Sequence, residues 1–504
     1  MGLSGNIPFP PTPPKCLSRP SAYGEVVSEL KQACAMVADR IREATDVRVV
    51  SHIDADGICS GSIAYRACRR LDLRPEVDFI KQLDDFVVER LAKEVPEGTL
   101  VWFTDLGSGQ LDRIRGVRCV VTDHHTPARD TVEGDLADGG YFVQANPHLH
   151  GHDGAREVSG AGMAYLVAGE LDERNRDLAV LAIVGAVGDL QHTSEGMLVG
   201  LNAGIVAKAR ECGLVDVRKD LAFFGRETRP VFKMLQYSSP AIPGVSGSEL
   251  GAMEVMRDAD VEPKRGEQWR TWGDLDLEER RRIIQRLGEI LLVQGHGHKA
   301  VWRLVQEVYT FPAEEPGLET RDAMEFSTLL NACGRYGMAR VGMEVCLGDR
   351  LEAFNEARRL QGSHRAKLVE GLRTVASMGV SGRRAIQFFH ARDAMPDTIV
   401  GTVASMALQA PEVDLDPGKP IIGLALKVDE KGVVKVSGRG TRDLVEEGLD
   451  LASAMREAAA QVGGVGGGHD IAAGASIPEG REEEFLDALD AIVARQVPRL
   501  AGDA

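Results

Sequence analysis

The chain has 504 residues, of which 43% are hydrophobic and 27% charged, with 59 Lys and Arg against 76 Asp and Glu and a net formal charge of −17. That size provides for two to four domains, each with its own core, and the composition excludes wholesale disorder. The acidic balance excludes a protein that coats nucleic acid through uniform positive charge, although 45 Arg against 14 Lys leave planar donors for a local phosphate-binding groove.

Residues 1–22 are Pro-rich and read as an N-terminal tail, and Tyr23 to Thr45 has the apolar spacing of an amphipathic lead-in helix (Val26, Val27, Leu30, Ala33, Val37, Ile41). From residue 46 short β-rich runs alternate with helical ones: Val47–Val50, helix Ile58–Leu71, Val77–Ile80, helix Phe86–Val95, Leu100–Thr104, a short helix near Leu111, and Val117–Thr122. Near-continuous apolar strands between helices predict a doubly wound, parallel α/β sheet. Two apolar helices, Ala161–Glu170 and Asp177–Gly188, are expected to pack on it, completing a first domain at 46–225.

Residues 226–316 change character, with Gly, Pro and Ser frequent between Ser238 and Ser248 and a charge-rich helical stretch at Leu275–Leu292, and read as a helical insertion. The chain is expected to return to the first domain over 317–350 and then to form a connecting helix over 351–380, the pattern running from Leu351 to Met378. Strand–helix alternation resumes in a smaller α/β domain, 381–504, with runs at Ala385–His390, Ile399–Ala407, Ile421–Val428 and Val433–Ser437 and a last helix at Glu482–Ala494.

The eight cysteines form no CxxC pair, which argues against a zinc finger or a disulfide framework. The apolar run Leu178–Gly188 is far short of the ~20 residues that span a bilayer, and the N-terminus has neither a signal-peptide nor a myristoylation pattern. A soluble cytoplasmic protein with no membrane partner is expected.

Three strand ends in the first domain carry the chemistry. Val47–Val50 runs into Ser51-His52-Ile53-Asp54-Ala55-Asp56-Gly57, Leu100–Thr104 into Asp105-Leu106-Gly107, and Val117–Thr122 into Asp123-His124-His125. Open parallel sheets bind ligands beyond the carboxyl ends of their strands, which is where all three clusters fall. One such Asp is more often a helix N-cap than a ligand. Together, adjacent carboxylates repel unless a cation lies among them. Asp189, ending the helix Asp177–Gly188, adds a fourth carboxylate that would be costly to desolvate alone. Oxygen-rich ligation with one or two imidazoles suits Mn²⁺ or Mg²⁺ better than zinc. Four carboxylates (Asp54, Asp56, Asp105, Asp189) match two divalent cations, and a two-metal pair clamps the attacking and leaving oxygens of a phosphoryl displacement. The site reads as a phosphoesterase.

The runs VVSHIDADGICSG, FTDLG, VTDHHTP, SGAGMAYL and GAVGDLQ resemble the ordered motifs of the DHH phosphoesterase superfamily. Gly463-Gly464-Val465-Gly466-Gly467-Gly468-His469, followed by Ala472-Ala473-Gly474, resembles the signature of the associated DHHA1 domain. With Asn331–Arg335 (NACGR) between them, the set is similar to RecJ-type single-strand nucleases, and 226–316 is placed like the insertion of archaeal members. The resemblance implies His52, Asp54, Asp56, Asp105, His124 and Asp189 as metal ligands, His125 at the scissile phosphate or the leaving group, and Asp123 orienting an imidazole. It implies a metal-dependent exonuclease on single-stranded nucleic acid, DNA ahead of RNA and 5′→3′ ahead of 3′→5′, in DNA replication or repair. The alternatives are a phosphodiesterase of RNA or short oligonucleotides, and a replisome scaffold that binds GINS and the replicative helicase.

The glycine run reads as a loop whose N–H groups approach a phosphate closely, with Gly466, Gly467, Gly468 and His469 as binding candidates. Ser437, Arg439 and Arg442, after a strand, are further backbone contacts, against an ordinary solvated turn at nearly even weight. In the loop His148-Leu149-His150-Gly151-His152, alternate residues need not converge; a solvated or loop-structuring role is favoured, with His148 the substrate-contact candidate. His296 and His298 are assigned nothing, and Cys59 and Cys68 read as core.

Overall fold

A computed structural model describes residues 20–408, 410, 413–428 and 430–501. The expected Pro-rich tail lies, up to residue 19, outside the described residues. By its internal contacts the chain divides into two compact units, 1–216 and 217–504.

In the first unit α1 (Pro20–Glu43) leads into β1 (Val47–His52), α2 (Ala55–Arg70), β2 (Glu76–Ile80), α3 (Asp85–Glu94), β3 (Leu100–Thr104), β4 (Arg118–Thr122), β5 (Glu133–Asp135) and β6 (Tyr141–Ala145). Three helices follow: α4 (Gly160–Leu171), α5 (Ala179–Gly188) and α6 (Gly200–Glu211). The sheet order is β2-β1-β3-β4-β6-β5, parallel throughout except for the short edge strand β5, which pairs antiparallel with β6. Both faces are covered, so the central strands are apolar without interruption: Val50, Val101, Phe103, Val121 and Phe142 pack with Val88 and Leu91 of α3, while Val49, Trp102 and Val120 alternate to the opposite face and are equally buried. Because β2 and β3 flank β1 on opposite sides, the strand order reverses beside β1, and the crevice at such a switch point is where doubly wound sheets bind ligands.

The second unit opens with β7 (Asp216–Leu221), α7 (Val231–Gln236), α8 (Glu249–Asp258), the strand pair β8 (Lys264–Arg265) and β9 (Gln268–Trp269), α9 (Leu277–Val293), α10 (His298–Trp302) and β10 (Val305–Thr310), which pairs with β7. Here Phe223, Leu235, Met256, Trp272, Ile283, Leu287 and Leu304 form a core of their own. Trp272 donates its indole N–H to Asp220 (3.1 Å), which also takes Arg280 at 3.0 Å. Then come α11 (Ala323–Arg335), α12 (Ala339–Cys346) and the long α13 (Glu352–Met378), all within this unit.

The chain ends with β11 (Ser381–Gly382), β12 (Gln387–His390), α14 (Val400–Ala407), β13 (Ile421–Leu426), β14 (Val433–Arg439), α15 (Arg442–Glu446), α16 (Leu451–Gln461), β15 (Val465–Gly468), β16 (Ala472–Pro478) and α17 (Glu482–Gln496). Its sheet runs β11-β12-β13-β14-β16-β15 and is mixed, parallel only between β12 and β13. Val434, Val436, Ala473 and Ala475 face α16 and α17; Ile421, Ala425 and Phe389 face α14 and Val375 of α13. The glycine run, expected as a loop, is instead the edge strand β15 from Val465 to Gly468. Glycine disfavours strands intrinsically, but Gly466 and Gly468 are seated where a Cβ would meet the backbone of Met455 and of Ala472 and Ala473. No helix among the described residues is long and apolar enough to cross a membrane.

One buried carboxyl makes the second unit sensitive to pH. Glu325 of α11 is fully buried and accepts hydrogen bonds from the Glu227 N–H (2.8 Å) and the Thr228 hydroxyl. Burial first, then the charge of Asp322, pushes it up to about 7. A carboxyl raised in the folded state favours folding below its unfolded pKa near 4.3, and that contribution is lost as pH rises through 7. Denaturant titrations at several pH values should therefore show wild type losing stability from pH ~4.5 to ~7 relative to Glu325→Gln; parallel profiles would refute this.

Candidate metal centre

The three strand ends deliver their polar residues to one place. His52 ends β1, and its Nδ1 lies 2.9 Å from Asp54 and 3.7 Å from Asp105. Asp54 is both things the sequence allowed: it N-caps α2, accepting the Gly57 N–H at 3.0 Å, and its other oxygen faces His52. Asp56, in the first turn of α2, receives two amides from the start of α4, Gly160 N–H at 2.6 Å and Ala161 N–H at 3.0 Å. The backbone there is the positive end of α4, which favours the charged form of a carboxylate in contact with it. Asp105 follows β3 with φ of +58°, a left-handed conformation in which Asp is tolerated better than most residues. Asp189 caps the C-terminal end of α5.

His124 lies at the centre. Its Nδ1 donates to the Gly154 carbonyl at 2.7 Å, and a carbonyl only accepts, so the proton is fixed on Nδ1. Its Nε2 is buried with no hydrogen-bond partner. Around that nitrogen stand Asp105 and Asp189, each at 3.3 Å, and Asp56 at 3.9 Å. A bare lone pair facing three carboxylates is repulsive, and either protons or a metal cation among them relieves it; the donor set of one imidazole and three carboxylates fits a divalent metal ion. Among the described residues three overlapping groups have ligand atoms within 4.8 Å of one another: His52, Asp54 and Asp105; Asp56, His124 and Asp189; and Asp105, His124 and His125.

Electrostatics agree. Burial, then the charges of Asp56, Asp54 and Asp189, drives the Asp105 carboxyl well above the carboxylate range. Burial followed by Asp56 pushes Asp189 up to about 7. Burial also raises Asp56, against the pull of His124. Asp54 is the exception, because the hydrogen bond and charge of His52 outweigh its burial and lower it.

Asp123 does different work. Its Oδ1 accepts the N–H groups of His124 (2.8 Å) and His125 (3.2 Å) and the Nδ1 of His125 (2.8 Å), while Oδ2 accepts the Ser108 N–H at 2.9 Å. Burial alone would raise this carboxyl; the bond from His125 and the charges of both histidines instead hold it down at about 2. His125 is raised in turn, first by that hydrogen bond. Its side chain is 59% exposed, so the ring nitrogen that does not face Asp123 is open to a ligand.

Several supporting residues carried no signal beyond their place in the motifs. Side chains at Gly160 and Gly185 would collide with the carboxylates of Asp105 and Asp56. Gln191 donates to the same Gly154 carbonyl that His124 uses (2.9 Å), tying the segment after Asp189 to the imidazole. His148 is exposed and puts its Nε2 3.1 Å from the His124 carbonyl, whereas His150 and His152 are buried in the fold, His152 beside Glu157 at 3.1 Å. Cys59 and Cys68 are core residues.

The remaining candidates lie in the second unit. Ser437 and Arg439 share one face of β14, and Arg439 donates to the Ser405 hydroxyl of α14 at 3.0 Å. Gly467 is in register with Gly474, and Gly474 with Ser437. Gly466 faces α16 instead, and Gly468 takes a φ of +138° beside Ala473. His469 is exposed after β15, its N–H donating to Ala472, and Arg442 is exposed at the first position of α15.

A doubly wound sheet with carboxylates and imidazoles gathered at its switch point defines the class of metal-dependent α/β hydrolases. Three families match the chain: the DHH family, N-terminal domain, over residues 46–186; the DHH-CID domain over 223–305; and the DHHA1 domain over 385–495. An uncharacterized protein of Methanocaldococcus jannaschii is 31% identical over 457 residues, covering 90% of this chain and 94% of its own. The single-stranded-DNA-specific exonuclease RecJ of Thermus thermophilus is 28% identical over 174 residues, 32% of this chain and 25% of RecJ. Its Mn²⁺-bound crystal structure superposes with a TM-score of 0.54 at 21% identity, over 96% of this chain and 56% of that one. CDC45 of Entamoeba histolytica shares the fold at a TM-score of 0.58 and 12% identity, over 94% and 99% of the two chains. This chain thus spans nearly all of the archaeal relative but a quarter of curated RecJ. The chain belongs to the DHH family, with a DHHA1 domain and the RecJ-like fold, and is a hydrolase of phosphodiester bonds.

Asp123 orients both histidines without belonging to the carboxylate cluster around His124. Asp123→Asn keeps its shape but removes the charge, and should lower Mn²⁺ affinity or turnover about 10–100-fold. Calorimetric titration with Mn²⁺ alone, beside turnover of a phosphodiester, checks this; wild-type values in both would remove Asp123 from the site.

Proposed function

We propose that the protein is an exonuclease that hydrolyses single-stranded nucleic acid from one end, DNA ahead of RNA and in the 5′→3′ direction, in DNA replication or repair. The observation that carries the reading is the unpartnered Nε2 of His124 among three carboxylates. His52, Asp54, Asp56, Asp105, His124 and Asp189 would hold two divalent cations, Mn²⁺ or Mg²⁺, the charge of four carboxylates matching two such ions. Bound there, the ions supply a nucleophile at neutral pH and neutralise charge developing on the phosphoryl group.

The chain's own residues do the remaining work. Asp123 fixes the His125 ring and stabilises its protonated form, so the free nitrogen of His125 can donate to a phosphate oxygen or protonate the leaving alkoxide. In the DHHA1 domain, Ser437, Arg439, Arg442 and His469 are donors for the strand, with Gly466, Gly467 and Gly468 leaving backbone accessible, and His148 is a further contact in the DHH domain. As an edge strand, β15 presents a row of unpaired backbone groups along one side, so the glycine backbone retains donors for phosphate. Sequence identity with RecJ supports the single-strand reading. The complete donor set supports turnover rather than a replisome scaffold that only docks to GINS, although docking and turnover are compatible.

Incubating 5′- and 3′-labelled DNA and RNA strands with Mn²⁺ or Mg²⁺ should release mononucleotides from single-stranded DNA, starting at the 5′ end. A scaffold would cleave nothing, and a short-substrate phosphodiesterase would act on dinucleotides but spare long strands. Asp105→Ala, which removes a carboxylate near both His52 and His124, should lower turnover by roughly 100-fold or more with the fold retained by circular dichroism; residual activity near wild type would sink the two-cation assignment.

A further inference from the structure

We propose that the middle of α13 carries a phosphate-binding track, in which Arg365 and Lys367, with Arg229 and Arg335 beside them, hold the backbone of a nucleic-acid strand. This rests on the nuclease reading and adds where part of the strand is gripped.

The helix α13 is buried toward both ends and open in between. Ala353, Ala357 and Leu360 are buried where it packs on α11 and α12. Gly371 and Val375 are buried where it meets α14, and a Cβ at Gly371 would lie 2.8 Å from Val403. Steps of three and four residues keep one face of a helix, so these positions form a single seam. Across the gap the same steps fall on His364 and Lys367. No residue from 361 to 370 is buried, a stretch of about 15 Å along the axis. The apolar seam is thus interrupted by cationic and polar groups.

A solvated mid-helix is ordinary; the partners of these cations are not. The Lys367 ammonium lies 4.6 Å from the centre of the Tyr336 ring. The Arg365 guanidinium lies 5.1 Å from the centre of the Tyr237 ring, which Arg229 approaches at 5.7 Å. Arg335, the last residue of α11, donates from Nη1 to His364 Nε2 at 2.6 Å. A ring nitrogen that accepts carries no proton, and burial, then Arg335 and Lys367, lowers His364 to about 4. The imidazole therefore orients the guanidinium without neutralising it. Burial, then Arg365, lowers Arg229 to about 10, while the charge of Glu325 pulls the other way. Glu325 itself is bonded to the Glu227 N–H and the Thr228 hydroxyl.

Among the described residues none of Arg229, Arg335, Arg365 and Lys367 forms an ion pair, whereas Arg358 and Arg359, two turns earlier on α13, pair with Glu319 and Glu356. In a chain with 76 acids against 59 Lys and Arg, such a group of cations without acids runs against composition. Like charges this close repel, and an anion among them relieves it. A guanidinium stacked on a ring keeps its N–H edge free for two oxygens of a phosphate. Tyr237 is exposed beside two of these cations, and cations combined with aromatic rings hold single strands without sequence preference. The length of the open stretch suits a polymer rather than one anion.

The test measures binding by the full-length protein to a cleavage-resistant phosphorothioate oligothymidylate across a salt series. Joint replacement Arg365→Met and Lys367→Met should weaken binding about ten-fold and flatten the salt slope by about 1.4, two phosphates' share for a single strand. Arg359→Met, which removes an acid-paired charge from the same helix, should change neither, and Lys367→Arg should keep both. An unchanged slope in the double variant overturns the track while leaving the nuclease reading intact. Equal affinity for poly-L-glutamate, lost in the same variant, would assign the surface to an acidic protein and also overturn it. If wild type binds strands through these residues yet cleaves none, the track stands and the nuclease reading falls; if it binds no strand, both fall.

Discussion

The arrangement that the first unit is organised around is the hydrogen bond from His124 Nδ1 to the Gly154 carbonyl. It commits the imidazole proton to one side and turns the other nitrogen toward Asp56, Asp105 and Asp189. Everything near it manages the cost of crowding anionic and lone-pair groups into a buried space. The amides at the start of α4 neutralise part of the Asp56 charge, the Gly57 amide does the same for Asp54, and Gln191 holds the Gly154 carbonyl in place. Glycines at 160 and 185 leave the carboxylates room. The metal-free cluster is therefore poised: Asp189 shifts to about 7 and Asp105 rises well above the carboxylate range, both chiefly through burial. A bound cation reverses that penalty by favouring the ionised forms.

The parallel sheet makes this crowding possible. Its parallel strands all end at one edge, so residues more than 70 positions apart in the chain reach a common point from β1, β3 and β4. Net charge is a poor guide to what such a protein binds. The acids that contribute to −17 include three around His124 and Asp54 beside His52, where bound cations would invert the local sign, while Arg439 and Lys435 in the DHHA1 sheet form no ion pair among the described residues. An acidic chain can thus present cationic surface exactly where a backbone phosphate needs it, provided the excess acids are paired elsewhere, as Arg48 with Asp78 and Arg270 with Glu279 illustrate.

Most of the first sheet was legible because buried parallel strands are continuous apolar runs: Leu100–Thr104 is predicted and observed with the same bounds. Strands β5 and β6 were missed, since Glu133–Asp135 is a polar edge strand and Tyr141–Ala145 carries Gln144 in mid-run. The glycine run was misread for a different reason. Glycine's freedom argues for a loop when the sequence stands alone, whereas close packing on Met455 and Ala473 demands that freedom within a strand. The six ligand candidates could be named from their motifs, and a helix cap was open to any Asp after a strand, but nothing in those motifs says that Asp54 divides its two oxygens between cap and cluster, or that Lys435 shares a sheet face with Arg439. Both depend on which neighbour folds back, which is tertiary information.

The paired histidines after β4 show how far identity falls short of role. His124 and His125 are adjacent, chemically the same, and 4.4 Å apart between ring centres. Each has its Nδ1 engaged, His124 by a neutral carbonyl and His125 by the Asp123 carboxylate. A carbonyl fixes the proton on Nδ1 without adding charge and directs Nε2 into the buried cluster, where Asp189 and Asp56 raise the ring against its burial and a metal ion would take the place of the second proton. A carboxylate held at about 2 stays ionised across the physiological range and favours imidazolium, which suits an exposed ring to giving up a proton. The chemistry of the DHH triplet is thus divided not by the histidines themselves but by what each first nitrogen is tied to, and Asp123, the residue that touches both backbones and one ring, sets that division.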